Sequence, residues 1–433
     1  MTTRILLLFL ALLCAFPVFG QSDDDSRGSY LTVKIAVVGP GDEIYLWWGH
    51  IGIIIEDALS GENRFYDWGV FSFDNNNFYL NFALGRLLYA CTMTPAEYNI
   101  ERNIRTNRAI TTYTLNLSSQ KKAELQRFAG NNVLPENANY WYHHFDDNCA
   151  TRVRDVIDMA SSGAFKARYG EAPGRFTLRE HVRRHTWFSP FWDWAVSFWM
   201  GRGIDQPITM WQEMFLPSEI GRNIQNFTYT DENGVLRNLV SAVEVINTAQ
   251  NRPAPLESSP FSFREALAGI LAAVFLAGAF AGGGIVTKKR ARLVLGLGQS
   301  VLGLYFGIAG SLLFFLEFFT NHDYTWHNTN IIYINPLVLA AFPLGLIFAF
   351  TKNGARFARA QKVLRALWIY VSSAGLFTLV LNVFPPLYQH NWETFALVFP
   401  PAFVLGFVPF FYNPGFSGDF FTGLPGKPKK AAR

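Results

Sequence analysis

Five apolar stretches of membrane-spanning length follow residue 260, roughly Phe263 to Val286, Leu293 to Phe319, Ile331 to Phe350, Leu364 to Phe384 and Phe395 to Tyr412. They predict an all-α transmembrane domain over 261–433, because each is long enough to cross the hydrocarbon core as a helix. The connections then set the orientation. Lys288, Lys289, Arg290 and Arg292 lie in the first connection, Lys352, Arg356, Arg359 and Lys362 in the third, and Lys427, Lys429, Lys430 and Arg433 in the tail. The second and fourth connections, around Asn321 to Asn330 and Pro385 to Glu393, carry neither Lys nor Arg. By the positive-inside rule the odd connections and the C-terminus are cytoplasmic, and the first span begins outside.

The N-terminus supplies a second, independent indication of export. Arg4, the apolar run Ile5 to Phe16, and Val18 with Gly20 before Gln21 have the layout of a signal peptide over residues 1–20. Cys14 falls inside that apolar run and is a poor lipid-attachment site. The exported part is expected to run from Gln21 to about Pro260, where Arg252-Pro253-Ala254-Pro255-Leu256-Glu257-Ser258-Ser259-Pro260 reads as a linker. A composition that is 50% hydrophobic and only 16% charged suits such a mixed chain, and its net charge of +4 gives no reason to expect a nucleic-acid partner.

Within the exported part, strands are expected first: Tyr30 to Val38, Tyr45 to Ile55, Arg64 to Phe73 and Thr111 to Leu117, separated by turn signals such as Gly39-Pro40-Gly41-Asp42. Helices follow, one after Ser118, one opening at Cys149 and one with capping-box character at Thr177-Leu178-Arg179-Glu180. Strands followed by helices define an α+β domain.

The chemistry concentrates at Asn148-Cys149. A cysteine at a helix start sits where free N–H groups and the helix dipole favour the thiolate. Far upstream, Gly49-His50 runs into Ile51-Gly52-Ile53-Ile54-Ile55, so His50 stands at a strand start as a candidate base. Export leaves a Cys91–Cys149 disulfide open, although Cys91 lies in the apolar Leu87-Leu88-Tyr89-Ala90-Cys91 stretch and reads as a buried small hydrophobe. Asn148 is either a plain N-cap or an active-site residue.

Trp48-Gly49-His50-Ile51-Gly52-Ile53, Phe65-Tyr66-Asp67-Trp68-Gly69-Val70-Phe71-Ser72-Phe73, Tyr140-Trp141-Tyr142, and Asp147-Asn148-Cys149-Ala150-Thr151-Arg152 with Arg154-Asp155 resemble the periplasmic domain of Lnb-type bacterial lipoprotein N-acyltransferases. Asp205-Gln206-Pro207, Phe215-Leu216-Pro217, and His322 with Asn328, Asn330, Asn335 and Pro336 are similar to later landmarks of that family. The resemblance implies a circularly permuted papain-like (NlpC-like) thiol fold in which the histidine precedes the cysteine. It also implies that Cys149 accepts an acyl group from a phospholipid, that His50 is the base, and that Asp67 or Tyr66 orients the imidazole, Asp67 being favoured because a carboxylate stabilises the imidazolium. Trp48, Arg152, His322 and Asn328 are implied as substrate-binding positions, the acceptor as a lipoprotein amine, and the location as the inner membrane with the N-terminal domain periplasmic. Backbone N–H groups at the Cys149 helix start are expected to hold the oxyanion. No cofactor and no metal are implied.

Other readings stay open. A cell-wall cysteine amidase or peptidase uses the same fold, and a receptor or scaffold needs no catalysis. His143, His144, Asp146, Asp147 and Cys149 carry donors that suit zinc, though adjacent loop histidines point apart. His181 and His185 are expected to be a solvated or capping pair on one helix face, since Glu180 precedes rather than follows His181. Arg152 is either a surface ion pair or a phosphate ligand. The aromatic-rich Trp187 to Trp199 segment after Arg179, Arg183 and Arg184 is a buried helix or a membrane-interface element. Glu317, His322, Asp323, His327 and Asn328 gather at the outer end of the second span.

The span count makes a topological prediction: reporter tags in the Lys288–Arg292 connection and at the C-terminus should report cytoplasm, and tags near Asn321 or His390 the outer side. An outward C-terminus would mean a miscounted span.

Overall fold

The computed structural model describes residues 26–71, 77–281, 288–351 and 354–412. The expected signal peptide, Ser72 and Phe73, Lys352 and the basic tail lie outside them. Two compact units are formed: residues up to Phe82 with Arg86–Phe176 and Pro207–Ala254, and Ala83–Gly85 with Thr177–Gln206 and the chain from Pro255 on.

The first unit is built on an antiparallel sheet of β1 (Leu31–Val38), β2 (His50–Asp57), β3 (Glu62–Val70), β4 (Leu88–Pro95), β5 (Ile110–Leu115), β6 (Asn139–Trp141) and a late strand, Val240–Asn247. The order across it is β6-β4-β3-β2-β1-β5 and then Val240–Asn247 at the other edge. Alternation in β1 and β2 sends Leu31, Val33, Ile35, Ile51, Ile53 and Ile55 to one face, where they meet Ala150, Val153, Val156 and Ile157 of the Cys149–Ala160 helix. Ala36, Ile54 and Phe65 face the other way, toward Ala96 and Ile100 of the Ala96–Arg105 helix. Strand β2 starts later than its apolar run suggests. Ile44–Leu46 forms a 3-10 turn, and Gly49 at φ +80° breaks the extended backbone just before His50. β4 and Val240–Asn247 are strands that the sequence reading does not include.

The second unit holds the helices Leu178–Thr186 and Pro190–Trp199, followed by Arg264–Ala281, Lys288–Phe319, Ala341–Phe350, Ala355–Leu381 and Trp392–Tyr412. Lys289–Phe319 and Ala355–Leu381 are long and apolar enough to cross a membrane; Pro336–Phe350 and Trp392–Val408 are shorter apolar segments. The expected span Ile331 to Phe350 is not one helix: 3-10 turns at Thr329–Ile332 and Pro336–Ala340 precede Ala341–Phe350. Pro336 has no N–H to donate and disfavours helical backbone at Asn335, whose side chain instead accepts from the Leu337 N–H.

His181 and His185 are buried rather than solvated, and burial pulls the His185 pKa down to about 4. Beside them on the same helix, Arg179 is 1% exposed and pairs through Nε and Nη2 with Asp205, at 2.7 and 3.0 Å, while donating to the carbonyls of Ser197, Met200 and Gly201. Asp205→Ala strands that guanidinium and should destabilise this unit by about 3–5 kcal/mol. Thermal unfolding in detergent measures it, and an Arg179→Met/Asp205→Leu pair should recover only part of the loss, since the Ser197 and Gly201 carbonyls lose their Arg179 donor.

Candidate active site

Asn148 fixes the start of the Cys149–Ala160 helix. Its Oδ1 accepts from the Ala150 and Thr151 N–H groups at 2.8 and 2.9 Å, and Thr151 Oγ1 accepts from the Asn148 N–H at 2.8 Å. Its Nδ2 donates to the carbonyls of His144 and Phe215, at 2.7 and 3.0 Å. Asn148 is 4% exposed and its side chain is spent on backbone, so it is the cap. The expectation that several helix-start N–H groups await an oxyanion is corrected by the same bonds: the Ala150 and Thr151 groups are occupied, and Arg152 N–H is bonded to Asn148 O.

Strand register brings the other two groups together. His50 lies opposite Val38 at the start of β2, and Gly52, two residues on and on the same face, lies opposite Asp67. His50 and Asp67 are thus diagonal neighbours, within side-chain reach. Their contact is short, His50 Nε2 to Asp67 Oδ1 at 2.6 Å, and the Cys149 side chain hydrogen-bonds the same imidazole. Tyr66 is opposite Ile53 and packs into the core on the other face, so Asp67 and not Tyr66 meets the histidine. Burial alone would lower the His50 pKa. The charges of Asp67 and Cys149, with their hydrogen bonds, outweigh it, and the pKa is pushed up to about 10.

Cys91 is a free, buried thiol in the core, and burial pushes its pKa up to about 12. Cys149 is also free, and half-buried. Arg152 grips Asp147 through Nε and Nη2, at 2.5 and 2.7 Å, and its guanidinium lies 4.3 Å from the centre of the Tyr140 ring. Trp48 is partly buried, with its ring 6.3 Å from that of Trp47. Among the described residues no group of three or more His, Cys, Asp and Glu side chains is arranged to hold a metal ion. His143 Nδ1 accepts from the Asp146 N–H at 2.9 Å. A cavity of about 130 Å³ lined by Arg27, Asp57, Glu62 and Arg64 lies at the far end of β2 from His50.

His322 and Asn328 belong to the second unit. His322 Nδ1 is 2.9 Å from the Tyr324 hydroxyl. Asn328 donates to the Phe198 and Met200 carbonyls and accepts from the Asn330 N–H and from Gln389 Nε2, which uses its whole amide.

Two residues at the thiol carry no role in the sequence reading. Gly69, at φ +86°, sits where the β3–β4 register slips between Asp67 and Val70. A methyl built on it would lie 3.6 Å from Cys149 Cβ and 3.8 Å from the Tyr140 hydroxyl. The alternating aromatics Tyr140 and Tyr142 shortly before the cysteine are the available signal.

A thiol domain in the same chain as apolar helices fits a membrane protein with a periplasmic domain, and the family models agree. The Lnb N-terminal periplasmic domain matches residues 21–184 and the Lnb transmembrane domain matches residues 269–386, together more than half of the sequence, and the chain belongs to the Lnb-type family. No curated protein and no solved structure matches it significantly.

The charge balance at His50 is testable. An imidazole whose pKa is raised stays protonated through neutral pH and loses its proton as pH rises through about 10. Asp67→Asn removes one of the two negative charges responsible, so histidine-selective NMR should show the His50 titration moving down by about one unit or more. An unmoved titration would place the control elsewhere.

Proposed function

We propose that this protein is a membrane acyltransferase that moves an acyl chain from a phospholipid, through a thioester on Cys149, to the N-terminal amine of a lipoprotein. Membership of the Lnb-type family supports an acyltransferase of lipoprotein N-acylation. The observation that carries the mechanism is the contact chain Cys149–His50–Asp67 at the start of one helix and the end of one strand pair.

The chemistry divides into two halves. The Cys149 thiolate attacks the ester carbonyl of the lipid; the C–O bond breaks, and the imidazolium of His50 protonates the leaving lysolipid oxygen. The neutral imidazole then takes a proton from the acceptor amine as it attacks the thioester, which yields an amide and frees the thiol. Asp67 holds the imidazole in one orientation and stabilises its charged form.

The order of the parts, histidine strand before cysteine helix on an antiparallel sheet, agrees with a circularly permuted papain-like arrangement. The same reading has five membrane crossings, an inner-membrane location and a signal peptide removed before Gln21. The third crossing would be made by Ala341–Phe350 with the 3-10 turns ahead of it, where the Asn335 side chain bonds the Ile331 carbonyl and the Leu337 N–H and so satisfies irregular backbone as lipid requires. Because Arg152 is committed to Asp147, a phosphate ligand role for it requires that pair to open.

Mass spectrometry of lipoprotein N-termini in cells tests the reading. Loss of this protein, Cys149→Ser and His50→Ala should each abolish the added acyl chain while the protein still folds and inserts, and Cys91→Ser should leave it. Normal acylation with Cys149→Ser would sink the thioester. Hydrolysis of soluble cell-wall peptides by the intact protein, with no acyl transfer in lipid, would move the reading to a thiol peptidase.

A further inference from the structure

The thioester reading requires an oxyanion site, and the helix start supplies little of one. Of its first four N–H groups, those of Ala150, Thr151 and Arg152 are bonded to Asn148, which leaves the Cys149 N–H. Acyl-transfer sites aim several donors at the developing charge. A further donor stands at the thiol. The Tyr140 hydroxyl is buried and has no hydrogen-bond partner among the described residues. It flanks the same methyl-sized point beside Gly69 as Cys149 Cβ, at 3.8 and 3.6 Å respectively.

Its placement is rigid. Tyr140 lies on β6, opposite Tyr89 of β4, and its ring is covered by the Arg152 guanidinium, itself held by Asp147. Arg152 is one helical turn after Cys149, so the helix that presents the thiol also positions the tyrosine.

We propose that Tyr140 is a catalytic residue whose hydroxyl, together with the Cys149 N–H, donates to the oxyanion formed when the Cys149 thiolate adds to an acyl carbonyl. The inference rests on the thioester reading above. As the Sγ–C bond forms, the carbonyl π pair moves onto oxygen, and Tyr140 holds that oxygen without giving up its proton. On collapse the C–O double bond returns, the ester C–O bond breaks, and the leaving oxygen takes its proton from His50. Burial keeps the Tyr140 hydroxyl protonated far above the ordinary tyrosine range; the Cys149 and Asp147 charges add to this, and Arg152 opposes it.

The test uses the full chain in detergent with p-nitrophenyl butyrate as acyl donor, following nitrophenolate release and the mass of acylated Cys149, and iodoacetamide as a second probe. Alkylation at a saturated carbon forms no oxyanion. Tyr140→Phe keeps the ring under Arg152 and should slow acylation by about 10²- to 10³-fold at nearly unchanged KM, while alkylation of Cys149 stays within about twofold. Acylation within about threefold of the parent overturns the assignment. So does alkylation that falls as far as acylation, which would mean an altered thiol or a collapsed site, and so does an equal acylation loss in Trp48→Phe with none in Tyr140→Phe. If the parent acylates Cys149 from the nitrophenyl ester yet moves nothing from phospholipid vesicles to a diacyl lipopeptide, the lipid reading fails and the Tyr140 result stands. If the parent forms no acyl-Cys149, both fail.

Discussion

The Asn148 side chain is the interaction on which the site depends. One amide makes four backbone bonds: two to the first turn of the Cys149–Ala160 helix, one to His144 and one to Phe215. The first pair fixes where the helix begins, and so the direction of the thiol. The second pair ties that start to the loop before it and to a segment 67 residues away, next to Leu216 and Pro217 in the core. Its consequence is chemical as well as structural. A cap that satisfies the helix-start N–H groups removes them from any oxyanion, and a site that still stabilises one must draw donors from other elements.

Charge at the site is arranged in two separate pairs. Asp67 and Cys149 both act on His50, and their negative charges outweigh a burial that by itself would favour the neutral ring. Asp147 and Arg152, which flank Cys149 in the chain, neutralise one another, with the arginine laid on Tyr140. Arginine suits this place because its planar fork can grip a carboxylate at its edge while its face covers an aromatic ring. A lysine would keep the charge and lose both contacts.

Much of this was legible in the residues. The Gly-His before a β-branched run and the Asn-Cys before a helix-like stretch located His50 and Cys149, because both sit where strand or helix signals begin. The residues favour Asp67 over Tyr66 on chemistry alone, since adjacent strand residues face opposite ways and only register says which face is which. Pairing Gly52 with Asp67 decides it: Asp67 shares the His50 face, and Tyr66 goes to the core with Ile53. The Cys91 stretch reads as apolar but not as β4, because Leu87-Leu88-Tyr89-Ala90-Cys91 is a continuous apolar run, whereas in the strand only Tyr89 and Cys91 of Leu88–Pro95 are buried. Gly69 was invisible as a site residue. Its effect depends on a bulge, and a bulge is a property of two strands together.

Asn328, Asn330 and Arg179 of the second unit bond the end of a helix. Helix Pro190–Trp199 ends with carbonyls that no further turn can bond. Arg179 takes those of Ser197, Met200 and Gly201, and Asn328 takes those of Phe198 and Met200, with Asn330 also donating to Phe198. Asp205 is present because the arginine that does this is buried and needs a counter-charge. Asn328 and Asp205 therefore look functional in sequence for the reason that catalytic residues do: each is a polar group in an apolar setting whose replacement leaves a partner stranded. Free capacity separates the two cases. Asn328 has every amide position bonded to protein, whereas the Tyr140 hydroxyl, beside the thiol, has no partner among the described residues.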